Sequence, residues 1–236
     1  MNGAALSFAK TQIGTISGNK SRLQWLLDLP VDAKQIINFG CNIGTETLSL
    51  MYFFGAREGL GIDKNEQSIH QAQSTLRNLR EEVVRIHRMV EYYPQLLSDE
   101  EKNWWENVPD FFKRDLVHEL FKLDYQVHDF TTQSNIPSNS FDLAFCDFVL
   151  HHIWYEENDI SNPVNTRFAV QEMARVLRPG GTLAAFELVQ FEKRPRLDFK
   201  LLFLQADLEL IHVNEQKESS PIKGDYIIGE YCFRKS

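Results

Sequence analysis

The chain has 236 residues, 43% hydrophobic and 25% charged, an ordinary globular composition long enough to bury a core without staples. Lys and Arg number 25 against 33 Asp and Glu, and the formal charge of −8 argues against a broad nucleic-acid-binding face while leaving room for a local basic patch. No window reaches about 18 uninterrupted apolar residues, and the first residues, MNGAALSFAKTQIG, lack the apolar run of a signal peptide, so neither a membrane span nor a secretory leader is expected.

Residues 1–20 read as a loop, followed by a short helix from Ser21 to Asp28 that ends at Pro30. Gln35 to Phe39 is a short apolar, β-branched run closed by Gly40, the pattern of a buried strand. A helix follows from Gly44 to about Phe54, then a strand from Glu58 to Ile62. Apolar residues at Ile69, Ala72, Leu76, Leu79, Val83 and Ile86, in steps of three and four, predict a helix from Asn65 to about Val90. Pro94 interrupts that pattern. Ser98 and Glu101 form a capping box that starts another helix, and Pro109 suits the first turn of a further one with Phe112, Leu116, Leu120 and Phe121 on one face. Strands are expected at Leu123–His128 and Phe141–Cys146. Asn162 and Pro163 cap and open a helix carrying Phe168, Met173, Val176 and Leu177, which stops at Pro179-Gly180-Gly181. Thr182–Val189 is a fifth strand, Leu197–Gln205 a short helix, and Leu208–Asn214 and Tyr226–Phe233 two closing strands. Strands alternating with helices call for a mainly parallel sheet covered on both faces. The last two strands are separated by only about 10 residues, too few for a parallel crossover, so they should pair antiparallel.

In such a sheet the ligand sits beyond the carboxyl ends of the strands. The first strand ends in Asn38-Phe-Gly40-Cys41-Asn42-Ile-Gly44 and runs straight into a helix. Glycines there permit a tight turn and close approach to a ligand, and the helix N-terminus favours an anion. A dinucleotide fingerprint from Gly40 would require Gly at 42 and 45; Asn42 and Thr45 stand there instead, and no phosphate-binding loop of the GxxxxGK type occurs. The second strand ends at Asp63, followed by Lys64. An acid about 20 residues past a Gly turn can accept both hydroxyls of a ribose, although alone it could simply cap the next helix. The three cysteines, Cys41, Cys146 and Cys232, are widely spaced and contain no CxxC, so they read as reduced thiols of a cytoplasmic protein.

Taken together and in order, these pieces resemble the class I S-adenosylmethionine-dependent methyltransferases, of the broad small-molecule group (types 11 and 25), over roughly residues 20–235. Val127-His-Asp129-Phe130 matches the third strand end, Phe141 to His152 the fourth strand and its following loop, and Glu172-Met-Ala-Arg-Val-Leu-Arg-Pro-Gly-Gly-Thr-Leu183 the helix and turn before the fifth. The resemblance implies a Rossmann-like seven-stranded α/β sheet with an antiparallel last strand, in one domain spanning 1–236. It implies S-adenosyl-L-methionine as cofactor, held by Asn38, Gly40, Cys41, Asn42 and Gly44 at the methionine end, Asp63 and Lys64 at the ribose, Asp129 and Phe130 at the adenine, and Asp147 and Phe148 near the methionine or acceptor. The chain departs from the family where Asn38 replaces an acid and Asn42 a glycine. Asn tolerates positive φ, so the turn can still form, but the loss of the acid would weaken the hold on the methionine ammonium.

His151 and His152 lie where acceptor should meet cofactor, and one of them could act as a base if the nucleophile carries a proton. The more ordinary reading is that the pair packs or caps locally as common scaffold. Adjacent residues rarely reach one ion, so no metal is expected. Cys146-Asp147-Phe148-Val149 lacks the Asn/Asp-Pro-Pro-Tyr of many amino-group methyltransferases. Residues 80–123 form a helical insertion rich in aromatics, either a lid over a hydrophobic substrate or an embellishment with its own core or a dimer contact. Lys20, Arg22 and Trp25 lie in the segment that in such enzymes often covers the cofactor. The function read from this is methyl transfer to O, N or an activated C of a small molecule by a monomer or homodimer, without nucleic-acid or membrane partners. The alternatives are a non-catalytic S-adenosylmethionine-binding subunit acting through a partner protein, and an NAD-dependent oxidoreductase, which the missing fingerprint disfavours.

Overall fold

The computed structural model describes residues 3–157, 163–191, 196–220 and 224–236. Its elements are α1 (Gly3–Gly18), α2 (Lys20–Leu27), β1 (Gln35–Phe39), α3 (Thr45–Phe54), β2 (Glu58–Asp63), α4 (Glu66–Tyr92), α5 (Asp99–Asn107), β3 (Lys122–Val127), β4 (Phe141–Asp147), α6 (Leu150–Tyr155), α7 (Val164–Val176), β5 (Leu177–Phe191), α8 (Phe199–Leu204), β6 (Leu208–Ser220) and β7 (Gly224–Lys235). They build one seven-stranded sheet in the order β3-β2-β1-β4-β5-β7-β6. Strands β1 to β5 run parallel, and β7 is antiparallel to both β5 and β6. The order reverses between β1 and β4, which opens a crevice at the carboxyl ends of these strands.

Alternation along the strands divides the core into two layers. On one face Ile37, Phe39, Ala144, Cys146, Leu183 and Tyr231 pack against α6, α7 and α8. On the other Ile36, Leu143, Phe145, Ala184 and Cys232 pack against α1, α2, α3 and α4. The two-face burial explains why β1 and β4 read as continuous apolar runs rather than alternating ones.

Most expected elements stand within a few residues of their predicted bounds. Asn65 caps α4 by accepting from the N–H groups of Gln67 and Ser68, and Ser98 and Glu101 form the capping box of α5. The structure corrects the reading in several places. Residues expected to be a loop form α1, whose Leu6, Ala9, Ile13 and Ile16 recur at helical spacing and are buried. Gly14, Gly18 and a scatter of Ser and Thr masked that period. The helix after Pro163 ends at Val176, and Leu177 already pairs with Phe141. The expected cap Asn162 lies outside the described residues. The closing strands pair as far as Ser220 and Gly224, well beyond their expected ends at Asn214 and Tyr226. Leu120, expected on a buried face, is exposed.

The insertion packs onto the helical layer rather than over the strand ends. Leu97, Trp105, Phe111, Phe112 and Leu116 join the core formed by α1, α3 and α4. Lys10 on α1 pairs with Glu100 on α5. Trp105, Phe111 and Phe112 of the insertion therefore enlarge that core, while Tyr92 and Tyr93 stay exposed. Among the described residues no helix is long and apolar enough to cross a membrane.

Candidate active site

The turn from β1 to α3 is held in shape by three left-handed residues: Gly40 at φ 71°, Asn42 at 47° and Gly44 at 82°. Two of these need glycine for space as well as for φ. A Cβ at Gly40 would overlap Val149, and one at Gly44 would lie 2.6 Å from the buried ring of Tyr125. Tyr125 reaches under the turn from β3, and its hydroxyl donates to the Gly44 carbonyl at 2.8 Å. The turn is also tied to β2. The N–H groups of Gly40 and Cys41 donate to the Ile62 carbonyl at 2.8 and 2.9 Å. Asp63 accepts from the Asn42 N–H at 3.0 Å and from the Asn65 N–H at 2.8 Å. Asn42 thus takes the strained conformation a glycine would take more cheaply, and Asp63 supports it.

These elements border a cavity of about 720 Å³. The turn contributes Gly40, Cys41 and Asn42; the end of β2 contributes Asp63 and Lys64. The segment after β3 contributes Asp129 and Phe130, and the end of β4 Asp147 with Phe148 just beyond it; His152 enters from α6. Three expected site residues stand elsewhere. Asn38 is fully buried and its amide donates to Thr47 Oγ1 at 3.1 Å; Gly44 supports the turn from behind; His151 faces away into the sheet. No described residue of the 80–123 insertion lines the cavity.

A family model described as a methyltransferase domain matches residues 103–185. No curated protein matches the chain. Among solved structures, a methyltransferase of Methanosarcina mazei superposes with a TM-score of 0.56 at 16% identity, covering 88% of this chain and 94% of that one. The N-methyltransferase NodS of Bradyrhizobium japonicum, in complex with S-adenosyl-L-homocysteine, gives 0.54 at 16% identity, covering 93% and 86%. A Haloferax volcanii methyltransferase in complex with the activator Trm112 gives 0.51 at 14% identity, covering 95% and 96%. The chain has the fold of the S-adenosylmethionine-dependent methyltransferases, and about a third of it matches a methyltransferase domain.

The histidine pair divides into two environments. Glu187, fully buried at the centre of β5, accepts from the N–H groups of Val149 and Leu150, each at 2.9 Å, and lies 2.9 Å from His151 Nδ1. That carboxylate therefore anchors the start of α6 and fixes the His151 ring. Phe148 is held at φ 54°, its N–H donating to the Phe186 carbonyl at 2.8 Å and its ring edge-on to Phe186 and His151. The His152 ring lies tilted against that of His151, centroids 4.1 Å apart, and lines the cavity. Burial and the neighbouring His151 push its pKa below the ordinary histidine range, so it is neutral at neutral pH.

Other groups set the charge and polarity of the cavity wall. Burial pushes the Asp129 carboxyl up, but the hydroxyl and N–H of Thr131, at 2.7 and 3.0 Å, and the charge of Lys64 outweigh it and hold the acid ionised. Phe130 lies edge-on to Phe39, 5.4 Å between centroids, and gives the cavity an apolar wall. Burial, with Asp63 beside it, pushes the Cys41 thiol up to about 12, so it acts as a small apolar filler and not a nucleophile. Among the described residues no group of three His, Cys, Asp or Glu side chains is placed to hold a metal ion.

Two charged residues were missed as site residues. Glu46, in the first turn of α3, and Arg22, on α2, both line the cavity; Arg22 Nη2 lies 3.0 Å from Glu46 Oε1 and also pairs with Asp147. An acid one residue inside a helix that follows a Gly turn was the available signal for Glu46. Arg22 lies in the segment expected to cover the cofactor, and nothing in its local pattern says that it turns inward.

Proposed function

We propose that this methyltransferase moves a methyl group from S-adenosylmethionine to a small-molecule acceptor at oxygen, nitrogen or an activated carbon. The observation that carries the reading is the convergence of Asp63, Asp129, Asp147 and His152 on one cavity at the topological switch of the sheet. Asp63 is oriented by two backbone N–H groups and presents its remaining lone pairs to a ribose. Asp129 accepts from the adenine amino group, with the ring against Phe130. When bound, S-adenosylmethionine supplies a methyl on a sulfonium, an electrophile that needs no activation by the protein. The chain's own task is to hold an acceptor atom in line at near-attack distance and to exclude water. Neutral His152 can take a proton from a hydroxyl or activated C–H as it reacts. Five acidic side chains line the cavity against Arg22 and Lys64, an electrostatic field that disfavours a polyanionic acceptor.

The test follows release of S-adenosylhomocysteine over a panel of phenols, amines and activated carbon acids, with oligonucleotides and protein extracts beside them. Turnover on members of the small-molecule panel, lowered by His152→Gln, is expected. Turnover confined to nucleic acid or protein would overturn the small-molecule reading.

A further inference from the structure

The two outer strands of the sheet, β3 and β6, end it differently. β3 is 6 residues long, and the Gln73 side chain of α4 donates to its Tyr125 carbonyl at 2.9 Å. β6 runs for 13 residues and pairs with β7 as far as Ser220. No described strand pairs with its outer side. Val213 is 40% exposed, and Gln216, Lys217, Glu218 and Ser219 are exposed as well. Ile211 is the extra residue of a bulge near the start of the strand; from His212 onward the register with β7 is unbroken. No proline interrupts this stretch. A long regular edge of this kind presents a row of backbone N–H and C=O groups to any chain that can pair with it.

The charges along this edge select the partner. Two copies related by a two-fold axis normal to the sheet pair antiparallel, and side chains opposite each other share a face. The axis must then pass beside one residue of each strand, opposite its own copy. At Glu215, Lys217 or Glu218 a charge meets the same charge, which is unfavourable. At Val213 or Asn214 the pairing runs into the bulge at Ile211. At Gln216 neither happens. Glu215 of each copy then faces Lys217 of the other, Asn214 faces Glu218, and Val213 faces Ser219. Within the chain, Glu215 pairs with Arg196 and accepts from the Tyr231 hydroxyl at 2.6 Å, and Lys217 lies 2.7 Å from Asp225. Glu215 and Lys217, two residues apart on the strand, share one face, so both symmetry-related ion pairs form on the same side of the joined sheet. We propose that β6 is a homodimer interface, pairing edge to edge with β6 of a second copy about Gln216 and continuing the sheet through both molecules. The inference stands independently of the methyl-transfer reading.

The experiment follows the mass of the full chain by sedimentation velocity, from about 1 to about 100 μM. It compares wild type, Lys217→Glu, Glu215→Lys and an equimolar mixture of the two variants, with thermal melting to verify that each is folded. Wild type is expected to dimerise within this range. Each variant alone sets like charges opposite each other twice, so its self-association should weaken about tenfold or more. Mixing the two restores both opposite-charge pairs, and a 1:1 heterodimer should form where neither variant pairs with itself. Hydrogen exchange of wild type at the two ends of the range gives a reading that needs no variant: the β6 amides should gain protection as dimer forms. A wild type that stays monomeric at about 100 μM leaves the edge to a strand of another protein and overturns the proposal. So does a dimer whose added protection lies outside β6, a dimer that both folded variants leave intact, or a mixture of folded variants that does not associate.

Discussion

Replacing Gly44 with alanine isolates the geometry on which the cavity depends. Gly44 has φ 82°, and its added Cβ would lie 2.6 Å from Tyr125, a fully buried ring whose hydroxyl is already committed to the Gly44 carbonyl. The left-handed backbone costs a non-glycine residue about 1–2 kcal/mol, and forcing a methyl into a packed ring costs about 1–3 kcal/mol more. Together these give about 3 kcal/mol, which for a chain of this size lowers Tm by about 6–12 °C. The two contributions separate in a double-mutant cycle. Tyr125→Leu removes the ring, so the double variant Gly44→Ala/Tyr125→Leu should be less destabilised than the sum of the singles by about 1–3 kcal/mol. Urea denaturation of the four proteins reads this directly. Additivity within about 0.5 kcal/mol would show that the ring does not limit the turn, and the steric reasoning would fail.

Three further outcomes follow from the electrostatics. The His152 pKa is depressed, so the neutral base persists below the ordinary histidine range; kcat/KM should be flat at neutrality and fall only at lower pH. An acid limb at or above the ordinary histidine pKa, or one that survives in His152→Gln, would remove His152 as the base. All three cysteines are buried, with Cys41 and Cys232 pushed up to about 12 and Cys146 also raised by burial, so none should react with iodoacetamide at pH 8 until the protein unfolds. Rapid labelling of the native protein, read by mass spectrometry, would contradict that. Burial pushes the Glu172 carboxyl up, but Arg175 and Ser134 outweigh it and depress its pKa below 4.5. Its contribution is therefore complete above the unfolded-state value and is lost as pH falls through the lower folded value. The stability gap between wild type and Glu172→Gln should shrink on acidification below about pH 4.5; a gap that grows there would refute the assignment.

The sheet was legible because β1, β2, β4 and β5 are buried on both faces, which leaves short apolar runs bounded by Gly, Asp and Pro. The Gly turn and Asp63 were legible because their roles depend on backbone conformation and on spacing along the chain. The cluster of Arg22, Glu46 and Asp147 was not, since it depends on three side chains from separate elements meeting at one point. Likewise Glu187 reads in sequence as one acid within an apolar strand. Only the fold shows that it faces the start of α6, where the backbone N–H groups need an acceptor. The different fates of His151 and His152 follow from α6 itself, because successive helical residues point about 100° apart. α1 escaped detection because its apolar stripe is narrow and interrupted by polar residues, and packing on α3 and α4 supplies what its own propensity does not.

The central claim is that the cavity at the switch point binds an adenosyl cofactor through Asp63. Titration calorimetry with S-adenosylhomocysteine on wild type and Asp63→Asn tests it most directly. The account predicts saturable binding to wild type and a loss of about tenfold or more in Asp63→Asn, together with a lower Tm, because the Asn42 and Asn65 N–H groups bond different oxygens of Asp63 and an amide keeps only one of them. Equal affinity in the two proteins, or no heat of binding to wild type at ligand concentrations far above micromolar, would contradict it.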